Sequence, residues 1–390
     1  MKQIVSHKLQ EINSIIESSI PINDTFLSGT LGLISYYHSQ YLLTGYKKSL
    51  IQVKKLVGNV FDNINEGTPK LFGSALSNGG AGLGYIVNSL NKDKLIEFDI
   101  ENEFKELDRY LYVTACQQIE EDVIDYLHGA LGVILYFSER SNSEQAKEYL
   151  DVLIEMVLKK AIVENEGSWF KNKMPNRKEE NLVNFGLSHG LCGILLLLIH
   201  CYPISKHKDE IKKIVSEGIK FIIKHKIDVD SSLDLYSTFP FIFERNTIEL
   251  TAPNRLAWCY GDLNEVLLFY RAGKLLDDQN LVTLADLIGA NTILRKDEKS
   301  TLVTDSHFCH GSSGVAQFYY TLFTETDLKI YHSAYEFWVE KTILYLEEDF
   351  KKKNFIGKEC DTLEGLVGVG LTLFSYASDK NLNWSKVFLL

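Results

Sequence analysis

The hydrophobic pattern divides the chain into two kinds of helical segment that alternate along its length. One kind places apolar residues at the i, i+3, i+4 and i+7 spacing of a helix face and charged residues elsewhere, as in residues 50–61 and 149–157. The other kind is apolar almost throughout, as in residues 133–137 and 315–320. The first pattern predicts helices with one side in solvent, and the second predicts helices that are buried.

Each strongly apolar segment begins at a glycine pair or a close variant of one. The pairs are Gly29/Gly32, Gly79/Gly82, Gly129/Gly132, Gly190/Gly193, Gly261 with Asn264, Gly311/Gly314 and Gly365/Gly368. They recur at separations of 50, 50, 61, 71, 50 and 54 residues, a period that suits one pair of helices per repeat. We expect the glycines themselves to serve sharp turns and close helix packing.

Seven helix pairs account for the whole chain, so we predict an all-α fold in a single domain over residues 1–390. Paired helices can stack as an open solenoid or close into a double ring. An open solenoid needs polar capping repeats, but residues 366–374 near the C-terminus are apolar. We therefore predict an α/α toroid of seven inner and seven outer helices, in which the inner helices all begin at one mouth.

The longest interval between glycine pairs contains an aromatic-rich segment within residues 228–256. We expect an extended excursion from the helical repeat here, rather than another helix pair. A flap that faces substrate and a plain surface loop are both consistent with this composition.

Composition and charge narrow the class of protein. A hydrophobic content of 45% with 24% charged residues is that of a folded globular protein. A net charge of -11 argues against nucleic acid as a partner, and no apolar run is long enough to insert into a membrane. The first residues form an amphipathic pattern without the apolar centre of a signal peptide, so we expect a cytoplasmic protein.

Residues that can bind a metal lie just before two of the glycine turns. Cys259 stands two residues before Gly261, and Cys309 and His310 stand directly before Gly311. Two thiols and an imidazole at one mouth suit zinc, and a set of three protein ligands leaves the fourth position open, as in catalytic zinc sites. The alternative is two buried cysteines and a surface histidine. Four further cysteines are expected to be small buried hydrophobic residues: Cys116, Cys192, Cys201 and Cys360.

Two thiolate ligands already neutralise Zn²⁺, which favours activation of a substrate thiol over activation of water. His189 and Asp125 precede their own glycine turns and form a candidate proton-transfer pair. A histidine bonded within the core and an aspartate that caps its helix are the alternatives. His128 could compete with His189. Arg255 could bind an anionic intermediate, or could form a structural ion pair.

Several of these stretches resemble the lanthionine synthetase C-like cyclases. They are Asp125-Tyr-Leu-His-Gly129, Gly186-Leu-Ser-His-Gly-Leu-Cys-Gly193, Arg255-Leu-Ala-Trp-Cys-Tyr-Gly261 and Cys309-His-Gly-Ser-Ser-Gly314. The resemblance spans all seven repeats. It implies an α/α toroid with a catalytic zinc ion held by Cys259, Cys309 and His310. It also implies active-site roles for Asp125, His189, Arg255 and Tyr260.

The resemblance further implies an activity and partners. The substrate would be a ribosomal precursor peptide with dehydrated Ser and Thr, and a peptide Cys thiol would add to dehydroalanine or dehydrobutyrine to form a thioether ring. A dehydratase and an export transporter would be partners, in a complex at the membrane periphery. Two other functions stay open: addition of glutathione to dehydrated residues, and a non-catalytic zinc-containing binding protein. Zinc prenyltransferases and glycosidases are more distant, because their acidic residues are not assembled here.

One position departs from the family pattern. Asn264 stands where the family usually has a second glycine after Trp-Cys-Tyr-Gly. Because Asn tolerates unusual backbone conformations, we expect a local adjustment rather than loss of activity.

Overall fold

The computed structural model describes residues 1–173, 182–378 and 382–390. Within them the chain is dominated by helices. In chain order these are α1 (Lys2–Ser18), α2 (Thr30–Thr44), α3 (Lys47–Asn65), α4 (Gly80–Lys92), α5 (Ile100–Glu103), α6 (Lys105–Glu120), α7 (Ala130–Ser138), α8 (Glu144–Lys159), α9 (Leu191–Cys201), α10 (Lys208–Lys224), α11 (Leu263–Leu276), α12 (Gln279–Leu294), α13 (Glu298–Thr301), α14 (Ser312–Thr326), α15 (Lys329–Lys352) and α16 (Leu366–Ala377). Two short 3-10 helices cover Ser231–Leu233 and Trp384–Phe388.

The predicted alternation of two helix types is present. Helices α2, α4, α7, α9, α11, α14 and α16 each follow a glycine turn, and all nine residues of α7 are buried. A polar-faced helix precedes each of the seven: α1, α3, α6, α8, α10, α12 and α15. Only three of the nineteen residues of α3 are buried, as expected of a helix with one side in solvent. The short helices α5 and α13 lie outside the predicted pairs.

The described residues form two compact units. The first comprises Met1–Lys105 and Thr304–Leu390, and the second comprises Glu106–Val303. In the first unit α2 packs on α3 and α16, while α14 packs on α15 and α16. In the second unit α9 packs on α7, α10 and α11, and α11 also packs on α12. A single domain over residues 1–390 stays a prediction.

Five short strands lie between the helical repeats of the second unit. They are β1 (Ile162–Glu164), β2 (Gly167–Trp169), β3 (Leu182–Asn184), β4 (Ile242–Glu244) and β5 (Glu249–Thr251). Strands β1 and β2 form an antiparallel hairpin. The other three form an antiparallel sheet in the order β3-β4-β5, in which Phe243 pairs with both Val183 and Leu250. The segment 228–256 therefore supplies two strands rather than a helix pair.

Steric crowding explains the second glycine of four of the turns. A Cβ atom on Gly32 would lie 2.6 Å from the carbonyl oxygen of Phe26, six residues earlier. At Gly82, Gly193 and Gly368 the same atom would overlap the carbonyl oxygen that is likewise six residues earlier. The first turn of each of these four helices thus passes directly over a backbone carbonyl, and only hydrogen fits between them.

The fifth repeat has an asparagine, rather than a glycine, above the carbonyl six residues earlier. Gly261 has a φ of +109°, and α11 begins two residues after it, whereas the other six glycine-led helices begin immediately after their first glycine. At the position of the second glycine, Asn264 directs its side-chain amide to the carbonyl oxygen of Trp258, at 3.0 Å. That carbonyl is again six residues earlier. The side chain therefore hydrogen-bonds the group that would exclude it elsewhere.

No helix among the described residues is long and apolar enough to cross a membrane.

We predict that Gly82→Ala destabilises the protein while Gly58→Ala does not. The new Cβ at position 82 overlaps the Leu76 carbonyl oxygen, and such overpacking costs about 1–3 kcal/mol. Gly58 lies inside α3 with no atom within 4 Å of the added methyl group, so alanine stabilises the helix by up to about 1 kcal/mol. Urea unfolding monitored by circular dichroism measures both changes. Equal stabilities for the two variants would contradict the steric explanation.

Candidate metal centre and acid–base pair

The turn that carries Cys259 is held by its backbone. Trp258 is fully buried, and Cys259 is 5% exposed. The carbonyl oxygen of Cys259 accepts hydrogen bonds from the backbone N–H and the hydroxyl of Ser188, at 3.2 and 3.3 Å. A Cβ atom on Gly186 would lie 2.5 Å from that same carbonyl oxygen. The absence of a side chain at position 186 therefore lets the two turns approach this closely.

The turn that carries Cys309 and His310 is held in the same manner. The backbone N–H groups of Phe308 and Cys309 both donate to the carbonyl oxygen of Leu363, at 3.0 and 2.9 Å. Cys309 is 8% exposed and His310 is half-buried. The Cys309 Sγ atom lies 3.8 Å from Nε2 of His310, so the two neighbouring side chains turn toward each other.

Three of the predicted residues form a cluster that could hold a metal ion. The potential ligand atoms of Cys259, Cys309 and His310 all lie within 4.8 Å of one another. Two thiols and an imidazole are a donor set that suits zinc, which accepts sulfur and nitrogen ligands in a tetrahedron. His307, two residues before Cys309, is not in this cluster, and its ring packs against Phe355 at a centroid distance of 5.3 Å.

The other four cysteines have environments that keep the thiol neutral. Burial raises the pKa of Cys201 to about 12 and that of Cys360 to about 11. Burial also raises the pKa of Cys192 well above its usual value, and raises that of Cys116. A neutral thiol is a poor nucleophile and a poor metal ligand. Cys192, Cys201 and Cys360 are buried, as expected, whereas Cys116 is only half-buried.

Asp125 and His189 form a direct pair. Asp125 is fully buried, and its Oδ2 atom lies 2.7 Å from Nδ1 of His189, whose side chain is 26% exposed. The other carboxylate oxygen of Asp125 accepts the backbone N–H groups of Leu127 and His128, at 2.9 and 2.7 Å. Asp125 therefore closes the turn before α7 and orients the imidazole. It does not cap the helix, because the N-cap residue of α7 is Gly129 and accepts no side-chain hydrogen bond.

Asn172 adds a contact that the repeat pattern did not predict. Its Nδ2 atom donates to the backbone carbonyl of His189 at 2.9 Å and lies 3.5 Å from Oδ2 of Asp125. The residue follows strand β2 and precedes no glycine turn. Its position in the sequence therefore carries none of the signals that identified the other candidates.

His128 lies beside the pair without replacing His189. The two imidazole rings are nearly parallel, with centroids 5.7 Å apart and an interplanar angle of 15°. Burial is the main cause that lowers the pKa of His128, and the neighbouring His189 lowers it further. The hydrogen bond from an imidazole to Asp125 belongs to His189.

Arg255 precedes Cys259 by four residues, and Tyr260 follows it directly. The guanidinium Nη1 of Arg255 donates to the carbonyl oxygen of Leu302 at 2.9 Å. Its Nε is buried and has no hydrogen-bond partner among the residues that the structure describes. The ring of Tyr260 packs on Phe241, with a centroid distance of 4.2 Å.

The segment 228–256 is anchored next to the Cys259 turn. The carboxylate of the buried Asp262 accepts the backbone N–H groups of Thr238 and Phe239, each at 3.0 Å. The same carboxylate binds Arg295 at 2.8 Å. Together with the Phe241–Tyr260 contact, these bonds fix one part of the segment against the turn. A flap over substrate stays a prediction.

Comparisons with known proteins identify the family and the fold of this chain. Residues 20–389 match the model of the family described as lanthionine synthetase C-like protein. Among solved structures, nisin cyclase superposes with a TM-score of 0.77 at 19% identity, covering 100% of this chain and 97% of that one. A search of curated proteins finds no match. The structural likeness shows the fold, an all-α toroid, as the helical repeat predicted.

We predict that the purified protein carries bound metal that depends on the cluster. Cys259→Ala and Cys309→Ala should each lose it, since either change removes one of three ligands. Cys201→Ala is the matched control, because that thiol is buried and neutral. Elemental analysis of protein prepared with zinc gives the metal content per chain. Equal metal content in all three variants would exclude the cluster as the binding site.

Proposed function

The chain belongs to the lanthionine synthetase C-like family, and we propose that it is a zinc-dependent lanthipeptide cyclase. In this reaction a peptide Cys thiol adds to the β-carbon of dehydroalanine or dehydrobutyrine and forms a thioether ring. The observation that carries the proposal is the Cys259, Cys309 and His310 cluster. The Asp125–His189 pair supplies proton transfer.

The donor set fits the proposed metal. Cys259, Cys309 and His310 provide three ligands of the types that zinc binds, and a fourth tetrahedral position is left for substrate. A zinc ion held by these residues would favour the thiolate form of a substrate thiol, and the two cysteine thiolates, which already balance the charge of Zn²⁺, would keep that sulfur electron-rich.

His189 moves the proton that the addition requires. Its Nδ1–H donates to the Asp125 carboxylate, so Nε2 of the neutral ring is the atom that accepts a proton. Nε2 takes the proton of the incoming thiol as the thiolate forms. The thiolate then adds to the β-carbon while the double-bond electrons move toward the carbonyl. The resulting enolate then receives a proton at its α-carbon. The net change is addition of S–H across the C=C bond, with no other reactant.

Arg255 supplies positive charge for the enolate. Its Nε–H is a buried donor without a partner among the described residues, and such a group is available to a developing oxyanion. Tyr260 orients the peptide beside the Cys259 turn, where its ring is held by Phe241.

We also propose the setting of the reaction. The protein acts in the cytoplasm on a ribosomal precursor whose Ser and Thr have been dehydrated by a separate enzyme. A dehydratase and an export transporter are the proposed partners in a peripheral membrane complex. The structural similarity to nisin cyclase supports this proposal.

The test of the function is ring formation on a dehydrated precursor peptide. Each ring consumes one peptide thiol, so alkylation followed by mass spectrometry counts the rings. We expect thiols to disappear only with metal-loaded protein. With glutathione present, adducts heavier by one glutathione and no loss of peptide thiols would contradict cyclisation and favour an intermolecular transferase. No reaction of either kind would favour a binding protein.

We predict that His189→Ala slows ring formation about 100-fold or more, the usual contribution of a general acid–base residue. His128→Ala is the matched control. It removes the neighbouring ring but leaves the His128 backbone N–H bond to Asp125 and the Asp125–His189 pair. The control should therefore keep most activity. The reverse order of activities would assign the proton transfer to His128.

A further inference from the structure

Asn264 connects the two turns that carry the proposed acid–base and metal-binding groups. Its Oδ1 atom accepts the backbone N–H of Leu187 at 2.8 Å, two residues before His189. Its Nδ2 atom donates to the backbone carbonyl of Trp258 at 3.0 Å, one residue before Cys259. One amide side chain therefore binds both turns.

Both hydrogen bonds of Asn264 lie in the protein interior, so removing them should destabilise the fold. Asn264, Leu187 and Trp258 are all fully buried. Without the Asn264 side chain, the buried Leu187 N–H would lose its acceptor and the Trp258 carbonyl would lose this donor, and the loss of a hydrogen bond in the interior is disfavoured. The Ser188 bonds to the Cys259 carbonyl join the same two turns, so Asn264 completes a small network.

The other repeats lack such a link at this position. Gly82, Gly193 and Gly368 occupy it in their repeats, and a side chain there would overlap a backbone carbonyl. In the fifth repeat the carbonyl of Trp258 instead accepts a hydrogen bond from the residue at this position. The changed start of α11, with Gly261 at a positive φ, accompanies this difference.

We propose that Asn264 is a positioning residue, whose two hydrogen bonds fix the distance between His189 and Cys259. This inference rests on the proposed function. Proton transfer depends on placement, and a displacement of about 1 Å can reduce a rate about 100-fold. A purely structural role would affect stability and leave the rate constant of the folded enzyme unchanged.

The experiment compares Asn264→Leu and Asn264→Asp with the wild-type protein, loaded with zinc. The measurements are kcat, KM, zinc content and the folded fraction at the assay temperature. Tyr36→Phe is the stability control, because it removes one partly buried hydrogen bond, from Tyr36 to Asn13 at 2.5 Å, between helices without proposed site residues. Every rate is expressed per folded molecule.

Asn264→Leu removes both bonds at nearly constant volume. We expect kcat to fall about 10- to 100-fold with KM changed less than about threefold, because the reacting groups are displaced while peptide contacts remain. Zinc content should stay near that of the wild type, since all three ligands remain. A kcat per folded molecule equal to that of Tyr36→Phe would overturn the proposal.

Asn264→Asp provides a second test, which can be carried out even if the leucine variant fails to fold. A protonated carboxyl has the shape of the amide, accepts from Leu187 and donates to Trp258. Burial favours this neutral form and raises the carboxyl pKa. The kcat ratio of variant to wild type should therefore be near one at low pH and fall as pH rises. A ratio well below one at low pH, where the carboxyl is neutral, would contradict the proposal.

The measurements distinguish failure of the positioning role from failure of the proposed function. An active wild type with an unaffected Asn264→Leu variant removes only the positioning role. A zinc-loaded wild type that forms no rings removes the proposed function, and the positioning role falls with it.

Discussion

The fold depends on the close passage of buried helices over a backbone carbonyl six residues earlier, seen in four of the glycine-led helices. At Gly32, Gly82, Gly193 and Gly368 this passage excludes any side chain. The constraint fixes how each loop enters its helix, and so fixes the residues that immediately precede the glycine. Chemistry in this chain is carried by those residues, whereas the glycines supply the geometry.

Within the second unit, hydrogen bonds join three successive turns into one arrangement. Asp125 binds His189, and Ser188 binds the Cys259 carbonyl. Asn264 binds Leu187 in the turn of His189 and Trp258 in the turn of Cys259. Most of these acceptors are backbone carbonyls or a buried carboxylate, which hold fixed positions. Proton transfer benefits from such preorganisation, because the groups need not be reordered during the reaction.

The sequence was sufficient for the helix pairs, the buried character of the glycine-led helices and the toroidal fold. These features repeat, so equivalent positions can be identified by their distance in sequence from the glycine. Asn172 could not be found in this way, since it reaches His189 from a segment outside the repeats. The link made by Asn264 was also hidden. The sequence shows that asparagine replaces glycine at position 264. It does not show that the side chain bonds Leu187 and Trp258, because those contacts depend on the local backbone.

The central claim is that two cysteines and one histidine hold a zinc ion whose remaining position receives the substrate thiol. X-ray absorption at the zinc edge tests it directly, before and after addition of a dehydrated peptide that retains its cysteine. The account predicts two sulfur ligands at about 2.3 Å and one nitrogen ligand at about 2.0–2.1 Å in the resting protein. A third sulfur should appear when peptide is added. Four sulfur ligands at rest, or a first shell that contains no sulfur, would contradict the account.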